Sequence, residues 1–485
     1  MTLTGSLSNA LSGLTAASKA AQVVSSNVAN ATTEGYATRV LNTSAASLGG
    51  VGAGVRIDGV QRQVDAAVVA ERREAGAENA HNGVVAEYYA RVEGILGLPA
   101  DAGSLNAALV QFETALIDAA SRPDQTVRLD AAVAAAVNLA DRLKDAAAGV
   151  QQERSMADRE IGQQIETLNT ALHAISELNK EISKARVAGL DVLSLFDQRQ
   201  TQIDLVSGIV PVTVLPRDND QIALISTGGG VLLDGRPSTL EFSTTHAISA
   251  DMTVQSGGLA QPTLNGEAVD LSLRTNMLQG GSLQALFAVR DSLAPENQAA
   301  LDAMAAELIS RFEDPAVDAS LAAGVPGLFT DAGSVFDPLN EVGLASRLSV
   351  NAGVDTGQGG ESWRIRDGVG QTVPGPVGNA SQLLGFVDVL SDSRVPASAN
   401  ASTEPRTVFS LLSDLVSDAS RLREQADNQR ATSNATWEAW RSVELEGGVD
   451  TDAEIQRLLL IEQAYAANAK VIEAVETMLD ALTRI

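Results

Sequence analysis

The sequence predicts an α+β fold that is mostly α: paired N- and C-terminal coiled-coil helices, a long-helix bundle domain, and an inserted β-rich domain. Three observations carry that expectation. Apolar residues recur in steps of three and four at both termini and again from Gln125 to Val187. Between residues 209 and 278 the period becomes two, with Gly, Pro and Asn separating short β-branched runs. Hydrophobic residues are 45% of the 485 while aromatics are 3%, so the apolar content is Ala, Leu, Val and Ile, which suits long helices packed through small side chains.

In chain order, Leu3, Leu7, Ala10, Leu14, Ala17, Ala21, Val24, Val28 and Ala31 follow the heptad rule for a helix lying along another helix. The seam enters Ser26-Asn27-Val28-Ala29-Asn30-Ala31-Thr32-Thr33-Glu34-Gly35-Tyr36, where Asn and Gly tolerate the left-handed conformation that closes helices and predict a stop. Gly49-Gly50-Val51-Gly52-Ala53-Gly54 leads into Val55-Arg56-Ile57-Asp58-Gly59-Val60, which alternates like a strand. With no helix N-terminus behind them, these glycines are not a phosphate cradle. Helix resumes from about Gln63 to Leu98 and breaks over Pro99 to Gly103. Leu105, Leu109, Phe112, Leu116 and Ala119 mark a short amphipathic helix ended by Arg122-Pro123. Gln125 to Val187 is the longest helical pattern, on the order of 95 Å if unbroken. Its second half carries the seam Ile161, Ile165, Leu168, Leu172, Ile175, Asn179 and Ile182, and the alanines around Gly149 allow a bend.

After Gly189 the chain reads as short strands: Ile209 to Leu215, Gln221 to Ser226, Val231 to Leu233, Leu240 to Phe242, Met252 to Val254 and Val269 to Leu273. Helix returns from Leu283 to Phe312 with an interruption expected near Pro295. Residues 324–400, rich in Gly, Pro, Ser and Asp, read as irregular with a few strands. Val408 to about Leu445 is helical, and Gly447-Gly448 precedes a final helix opened by the capping box Thr451-Asp452-Ala453-Glu454. That helix carries a second seam, Leu458, Ile461, Tyr465, Asn468, Ile472, Val475, Leu479 and Leu482, in which the polar Asn468 reads as a register device. The expected division is 1–62 plus 447–485 as a terminal assembly domain, 63–208 plus 279–446 as an elongated helical domain, and 209–278 as the β-rich insert. A rod is expected, with both termini at one end and the β-rich piece toward the other.

Composition excludes several functions. The 34 basic residues against 61 acidic ones leave a net charge of −27, a field that repels nucleic acid and anionic lipid. Cysteine is absent, so disulfides and thiolate chemistry are not available. No apolar run is long enough to span a bilayer, and no basic n-region precedes an apolar core, so neither membrane insertion nor a cleaved signal peptide is expected. The three histidines, His81, His173 and His246, are scattered, with no spacing for a metal or a nucleophile's base. Asp218, Asp220 and Asp234 read as turn residues, and Trp437 and Trp440, at helical spacing, as packing residues. No catalytic, cofactor or metal site is expected. The enzyme alternative is a carbohydrate-acting fold on a helical stalk, with Glu241 and Asp270 as its carboxylates.

The N-terminal seam has few large side chains for the length of backbone it must order. Both ends therefore read as elements that gain order from neighbouring copies. Ser26-Asn27-Val28-Ala29-Asn30-Ala31 with Thr33-Glu34-Gly35-Tyr36 resembles the N-terminal signature of the bacterial flagellar rod, hook and hook-associated protein family. Glu462-Gln463-Ala464-Tyr465-Ala466-Ala467-Asn468-Ala469-Lys470-Val471-Ile472 is similar to the C-terminal motif of that family. In the middle, Leu105 to Pro123, Ile175 to Ile182, Leu193 to Arg199, Gly228 to Gly235 and Leu286 to Asp291 resemble its hook–filament junction members, and the resemblance weakens between about Asp302 and Thr403. A hook or distal-rod subunit is the alternative within the family, disfavoured by the long helices after Gln125.

The resemblance implies a structural junction role, self-association in a ring or tube, and contacts with the hook protein, a second hook-associated junction protein and the filament. It also implies a cytosolic export chaperone on the C-terminal helix and type III export to the cell exterior. The expected assembly interface comprises Leu3, Leu7, Leu14, Val24, Asn27, Val28, Asn30, Gly35, Tyr36, Leu458, Ile461, Tyr465, Asn468, Ile472, Val475, Leu479 and Leu482. For Asn27, Asn30, Gly35 and Tyr36 the competing role is to cap a helix and turn the chain.

Overall fold

The structure, a computed structural model, describes residues 3–33, 35–48, 51–98, 100–271, 276–401 and 403–484. Helix α1 (Leu3–Ala29) stops at the Asn-rich stretch, and the chain folds back along it as an antiparallel hairpin, β1 (Arg39–Leu48) and β2 (Val51–Arg62). Helix α2 (Ala66–Leu96) begins where the Asp65 carboxylate accepts from the N–H groups of Ala67 and Val68, and leads away from the hairpin. Ser104 caps α3 (Leu105–Ser121), and α4 (Thr126–Val187) follows as a helix of 62 residues, about 93 Å long. The expected bend at Gly149 does not break it. A side chain at Gly149 would meet Ile95 at 3.0 Å, so this glycine admits the end of α2, and Arg91 with Glu153 continues the contact at 2.6 Å. The seam residues from Ile161 to Ile182 are all buried.

Helix α5 (Leu193–Ile209) leads into a four-stranded antiparallel sheet, β3 (Val212–Pro216), β4 (Ile222–Ser226), β5 (Val231–Asp234) and β6 (Arg236–Pro237). A three-stranded sheet follows, β7 (Leu240–Glu241), β8 (Thr263–Leu264) and β9 (Glu267–Ala268). Met252-Thr253-Val254 is a turn rather than the expected strand. Reciprocal bonds close it, from Thr253 N–H to Ser256 Oγ (2.9 Å) and from Ser256 N–H to Thr253 Oγ1 (3.0 Å). Of the strand expected at Val269 to Leu273, the first three residues are not in a strand and the remainder lies outside the described residues.

Helices α6 (Gly281–Ala288) and α7 (Ala294–Phe312) are joined through a π-helical turn, Val289–Leu293. The interruption expected at Pro295 is therefore a widening ahead of it. The ring falls in the first turn of α7 and the helix continues. Residues 324–400 are more ordered than expected. They form β10 (Phe329–Asp331), α8 (Leu344–Arg347), β11 (Leu348–Val350), α9 (Trp363–Asp367) and α10 (Ser381–Ser391). Phe329 meets Phe312 edge-on at 5.2 Å and Phe386 tilts against it at 5.1 Å, and Phe329 meets Phe112 edge-on at 5.6 Å. Burial of these rings, and not local periodicity, holds the segment.

Helix α11 (Val408–Glu446) returns antiparallel along α2: Arg423 pairs with Glu93, Ser433 faces Asn79, Trp437 lies across Gly76, and Arg72 meets Glu444. Trp437 and Trp440 are half-buried. Helix α12 (Thr451–Thr483) then runs beside α1.

One contiguous apolar core runs from Ala86 to Ala426 and includes Leu224, Leu232, Leu233 and Leu264, so the 209–278 segment packs as a flank of the helical core. The position expected for it is reversed. Pro211 to Val214, Pro216, Ile222 and Thr227 line the same depression as Arg62, Val64 and Val69, which places the sheet beside the terminal hairpin. The physical reason is that α2 is the outgoing leg and α4 the return. The opposite end carries α3, the start of α4 and α9, where Arg366 donates to the Pro123 carbonyl at 3.2 Å.

A fully buried ionic cluster holds the sheet side against α4. Arg290 donates to Asp158 at 2.7 Å, and both side chains are 0% exposed. Asp158 also accepts the Thr245 N–H at 2.6 Å, and Arg290 donates to the Ala260 carbonyl at 3.0 Å between the rings of Phe242 and Phe287. Arg154 spans the carbonyls of Arg290, Ser249 and Met252, and burial pushes its guanidinium below the ordinary value. Two loop carbonyls and one of the π-helical turn are satisfied by this one side chain.

Candidate assembly site at the paired termini

Helices α1 and α12 are antiparallel, with Gly13 against Asn468 and the region of Val24 against Arg457. Each seam read from the sequence splits into two lines. On α1, Ala10, Ala17 and Val24, seven apart, are buried, while Leu7 and Leu14 are half-buried and Val28 is 38% exposed. On α12 the covered line is Glu454, Ile461, Asn468 and Val475, also seven apart. Its companion line faces outward, with Leu458 40%, Tyr465 46% and Leu479 38% exposed. Leu482 is 58% exposed, and Leu3 and Ile472 are half-buried. A single partner helix covers only one edge of an apolar stripe this wide.

Asn468 does not meet a polar partner on α1. Its Nδ2 donates to the Ala464 carbonyl of its own helix at 2.9 Å, and its amide sits where a Gly13 side chain would be, 2.8 Å from the position of that Cβ. Register is thus fixed by shape, a polar knob over a glycine. Gly13 was legible as a signal, since glycine inside a helix is unfavourable without a packing reason.

The Asn-rich turn is a closed hydrogen-bond network. Asn27 is 0% exposed. Its Nδ2 donates to the Arg39 carbonyl (2.9 Å), and its Oδ1 accepts from the Arg39 N–H (3.0 Å) and the Tyr36 hydroxyl (2.8 Å). Asn30 donates to the Ser26 carbonyl and accepts from Thr33. Gly35 has φ +77°, and a side chain there would strike Thr201 Oγ1 at 2.5 Å. The polar groups of Asn27, Asn30 and Tyr36 bond within the chain, joining α1 to the hairpin, while Gly35 brings the turn against α5. Glu34 of the motif lies outside the described residues.

That joint has further residues whose ionic role the sequence did not show, although Asp197 and Arg199 lie in the Leu193 to Arg199 motif. Asp197 accepts from Arg39 (3.1 Å) and from Arg62 (2.7 Å), and Asp204 accepts from Arg72 and Arg73 at 2.7 and 2.6 Å. Arg199, in the same Leu193 to Arg199 motif, donates to Asn179 Oδ1 and the Asp220 carbonyl, with its pKa lowered to about 10 by burial. The motif therefore links the terminal hairpin, α4 and the four-stranded sheet.

Elsewhere, His81 lies against the Gly281 carbonyl at 3.3 Å, whereas His173 and His246 are exposed. Asp234 pairs with Arg217 and Asp220 with Arg186. Glu241 and Asp270 line two different depressions. Among the described residues no helix is long and apolar enough to cross a membrane.

Three family models match the sequence. The helical domain of the flagellar hook-associated protein FlgK matches residues 89–318, the C-terminal region of flagellar basal body rod FlgEFG proteins matches 446–485, and the flagella basal body rod protein model matches 7–36. Flagellar hook-associated protein 1 of Escherichia coli is 24% identical across 99% of both chains. The protein of the same name from Salmonella typhimurium is 28% identical over 292 residues, 59% of this chain, and this chain spans about half (51%) of that relative's length. Among solved structures, the flagellar hook junction protein FlgK from Burkholderia pseudomallei aligns with a TM-score of 0.42 at 21% identity, covering 54% of this chain and 46% of its own.

Proposed function

Because the chain belongs to the flagellar hook-associated protein 1 family, we propose that it is a structural axial protein of the bacterial flagellum, joining hook to filament. The observation that carries this reading is the half-covered terminal pair. Leu458, Tyr465 and Leu479 continue a seam whose other line faces α1, yet each stays 38–46% exposed. An apolar stripe completed by neighbours suits a subunit of a ring or tube, since contiguous exposed apolar surface marks an interaction site. The assembly piece is then 1–62 with 447–485, and the remainder, with 209–278 on its flank, forms the outward body.

The neighbours on this reading are other copies of the chain, the hook protein on one side, and a second hook-associated junction protein with the filament on the other. An export chaperone covers the apolar face of α12 before export. The match of 89–318 to a hook-associated helical domain favours the junction role over a hook or distal-rod subunit. The role asks for no catalytic step.

Deletion of the gene tests it. Hooks are expected to form while filament protein is shed into the medium, and the full chain supplied in trans restores filaments. Filaments attached normally in the deletion strain would refute the proposal.

A further inference from the structure

The depression between the four-stranded sheet and α2 encloses about 480 Å³, within the range of about 300–1,000 Å³ that ligand clefts occupy. Helix α5 lines it with Phe196, Arg199 and Ile203, α2 lines it with Val69 and Ala70, and Val64, just ahead of α2, is 39% exposed. The remaining side is β3, an edge strand paired only with β4. At the two ends of that ladder the Thr227 N–H donates to the Pro211 carbonyl at 3.0 Å, and the Arg217 N–H donates to the Gln221 carbonyl at 2.8 Å. Odd-numbered positions therefore face β4, and alternation turns the N–H and C=O groups of Val212 and Val214 to the free edge. Among the described residues these groups have no bonding partner. Pro216 has no N–H, so the open stretch ends there. The side chains of Val212, Val214 and Pro216 share one face with Ile222, which pairs with Pro216, and all four residues line the cleft.

The cleft also holds an unmatched charge. Arg62 and Arg73 are paired with Asp197 and Asp204, but Arg199, 9% exposed, makes no ion pair among the described residues. Its Nη1 donates to Asn179 Oδ1 at 2.8 Å and to the Asp220 carbonyl at 2.7 Å, and its guanidinium lies over the Phe196 ring at 5.1 Å. The Asp220 carboxylate is engaged by Arg186, and Glu74, the acid of the cleft lining, is exposed. A buried guanidinium with no carboxylate in contact is costly, and an anion entering the cleft offsets that cost. We propose that the cleft binds an extended peptide segment of another protein, which adds to the sheet along β3 and sets an acidic side chain against Arg199. The free edge selects an extended chain, because a peptide backbone matches its alternating donors and acceptors while the cleft reads alternate side chains. Residues of the added strand opposite Val212 and Val214 point their side chains the same way as those valines, into the cleft. The fitting segment therefore alternates outward polar residues with inward aliphatic ones and carries one inward Glu or Asp. This site lies outside the paired terminal helices and does not rest on the junction role.

The test applies the labelled full chain to an array of end-blocked hexapeptides with Thr at the first, third and fifth positions and every amino acid in turn at the second, fourth and sixth. Members with a single inward Glu or Asp beside aliphatic residues are expected to be retained. In solution, followed by fluorescence anisotropy, the best of them should lose about tenfold in affinity when its acid becomes the amide, the loss of one charge-assisted hydrogen bond. The peptide carries this exchange because Arg199 also holds Asn179 and the Asp220 carbonyl. Val214→Pro removes an outward N–H and leaves the bonds to β4 in place, so it should abolish binding with an unchanged circular dichroism spectrum. N-methylation of the peptide's inward residues should do the same with the chain unaltered. An array that retains no member or shows no preference for an acid would overturn the proposal. So would binding that survives N-methylation or Val214→Pro, or displacement of the peptide by hexanoate as readily as by unlabelled peptide, which would mark a plain carboxylate pocket.

Discussion

Replacing Arg290 by Met should destabilise the body of the protein through the charge it leaves behind. Asp158 is 0% exposed and accepts two bonds, from Arg290 at 2.7 Å and from the Thr245 N–H at 2.6 Å. Without Arg290 the carboxylate keeps one backbone donor in a dry site between α4 and the 245–260 turns, and the Ala260 carbonyl loses its donor as well. Breaking a buried pair from one side costs about 3–5 kcal/mol. Removing both charges, as Asp158→Leu with Arg290→Met, leaves only the partly exposed Asp291 without its guanidinium partner and is expected to recover more than half of that loss. Urea unfolding of the full chain followed by circular dichroism reads the difference. A cost below about 1 kcal/mol for Arg290→Met, or a double variant no more stable than the single one, would refute the assignment of this cluster as the clamp on the sheet side.

Asn27→Ala strands the Arg39 N–H and C=O, so it should leave the core's unfolding midpoint unchanged yet cut filament attachment at least tenfold, scored by electron microscopy. His81 takes up a proton below its ordinary value of 6.5 because burial disfavours the charged ring. The unfolded chain therefore binds more protons just under pH 6.5, and stability should fall as pH drops through that window. Thermal melts between pH 7 and 5 should show a shallower fall for His81→Gln. In the purified monomer, amides of residues 3–31 and 454–482 should exchange within seconds while those of α4 persist for hours, measured by hydrogen exchange. Strong protection at both ends of a verified monomer would contradict ordering by neighbours.

The long helices were legible because their burial is periodic: every residue from Ile161 to Ile182 on the expected seam is buried. Strand β1 was not, because Arg39 to Leu48 pairs only with β2, and its Asn, Thr and Ser positions carry no clean alternation. The order in residues 324–400 was hidden for a different reason. Phe329 and Phe386 are placed by Phe312 and Phe112, contacts far apart in sequence that leave no local period. The position of the sheet was misread because a helical pattern does not say which leg leads out, and only the Ile95–Gly149 and Arg91–Glu153 contacts reveal that α4 comes back. In the terminal site, the seam residues were readable but their division was not. A heptad pattern marks apolar positions without saying how many partners cover them.

That division connects the local chemistry to the proposed role. The Asn27 network and the Asp197 joint consume their polar groups inside the chain, so once the terminal pair is ordered this turn sets its angle to the body. The second apolar line of α12 has no such internal partner. A subunit built this way separates two tasks: polar groups with strict geometry orient the pair, and apolar area with loose geometry binds the next copy. Gly13 under Asn468 fixes the register of the two helices, and register decides which stretch of the outward apolar line is left for the next copy.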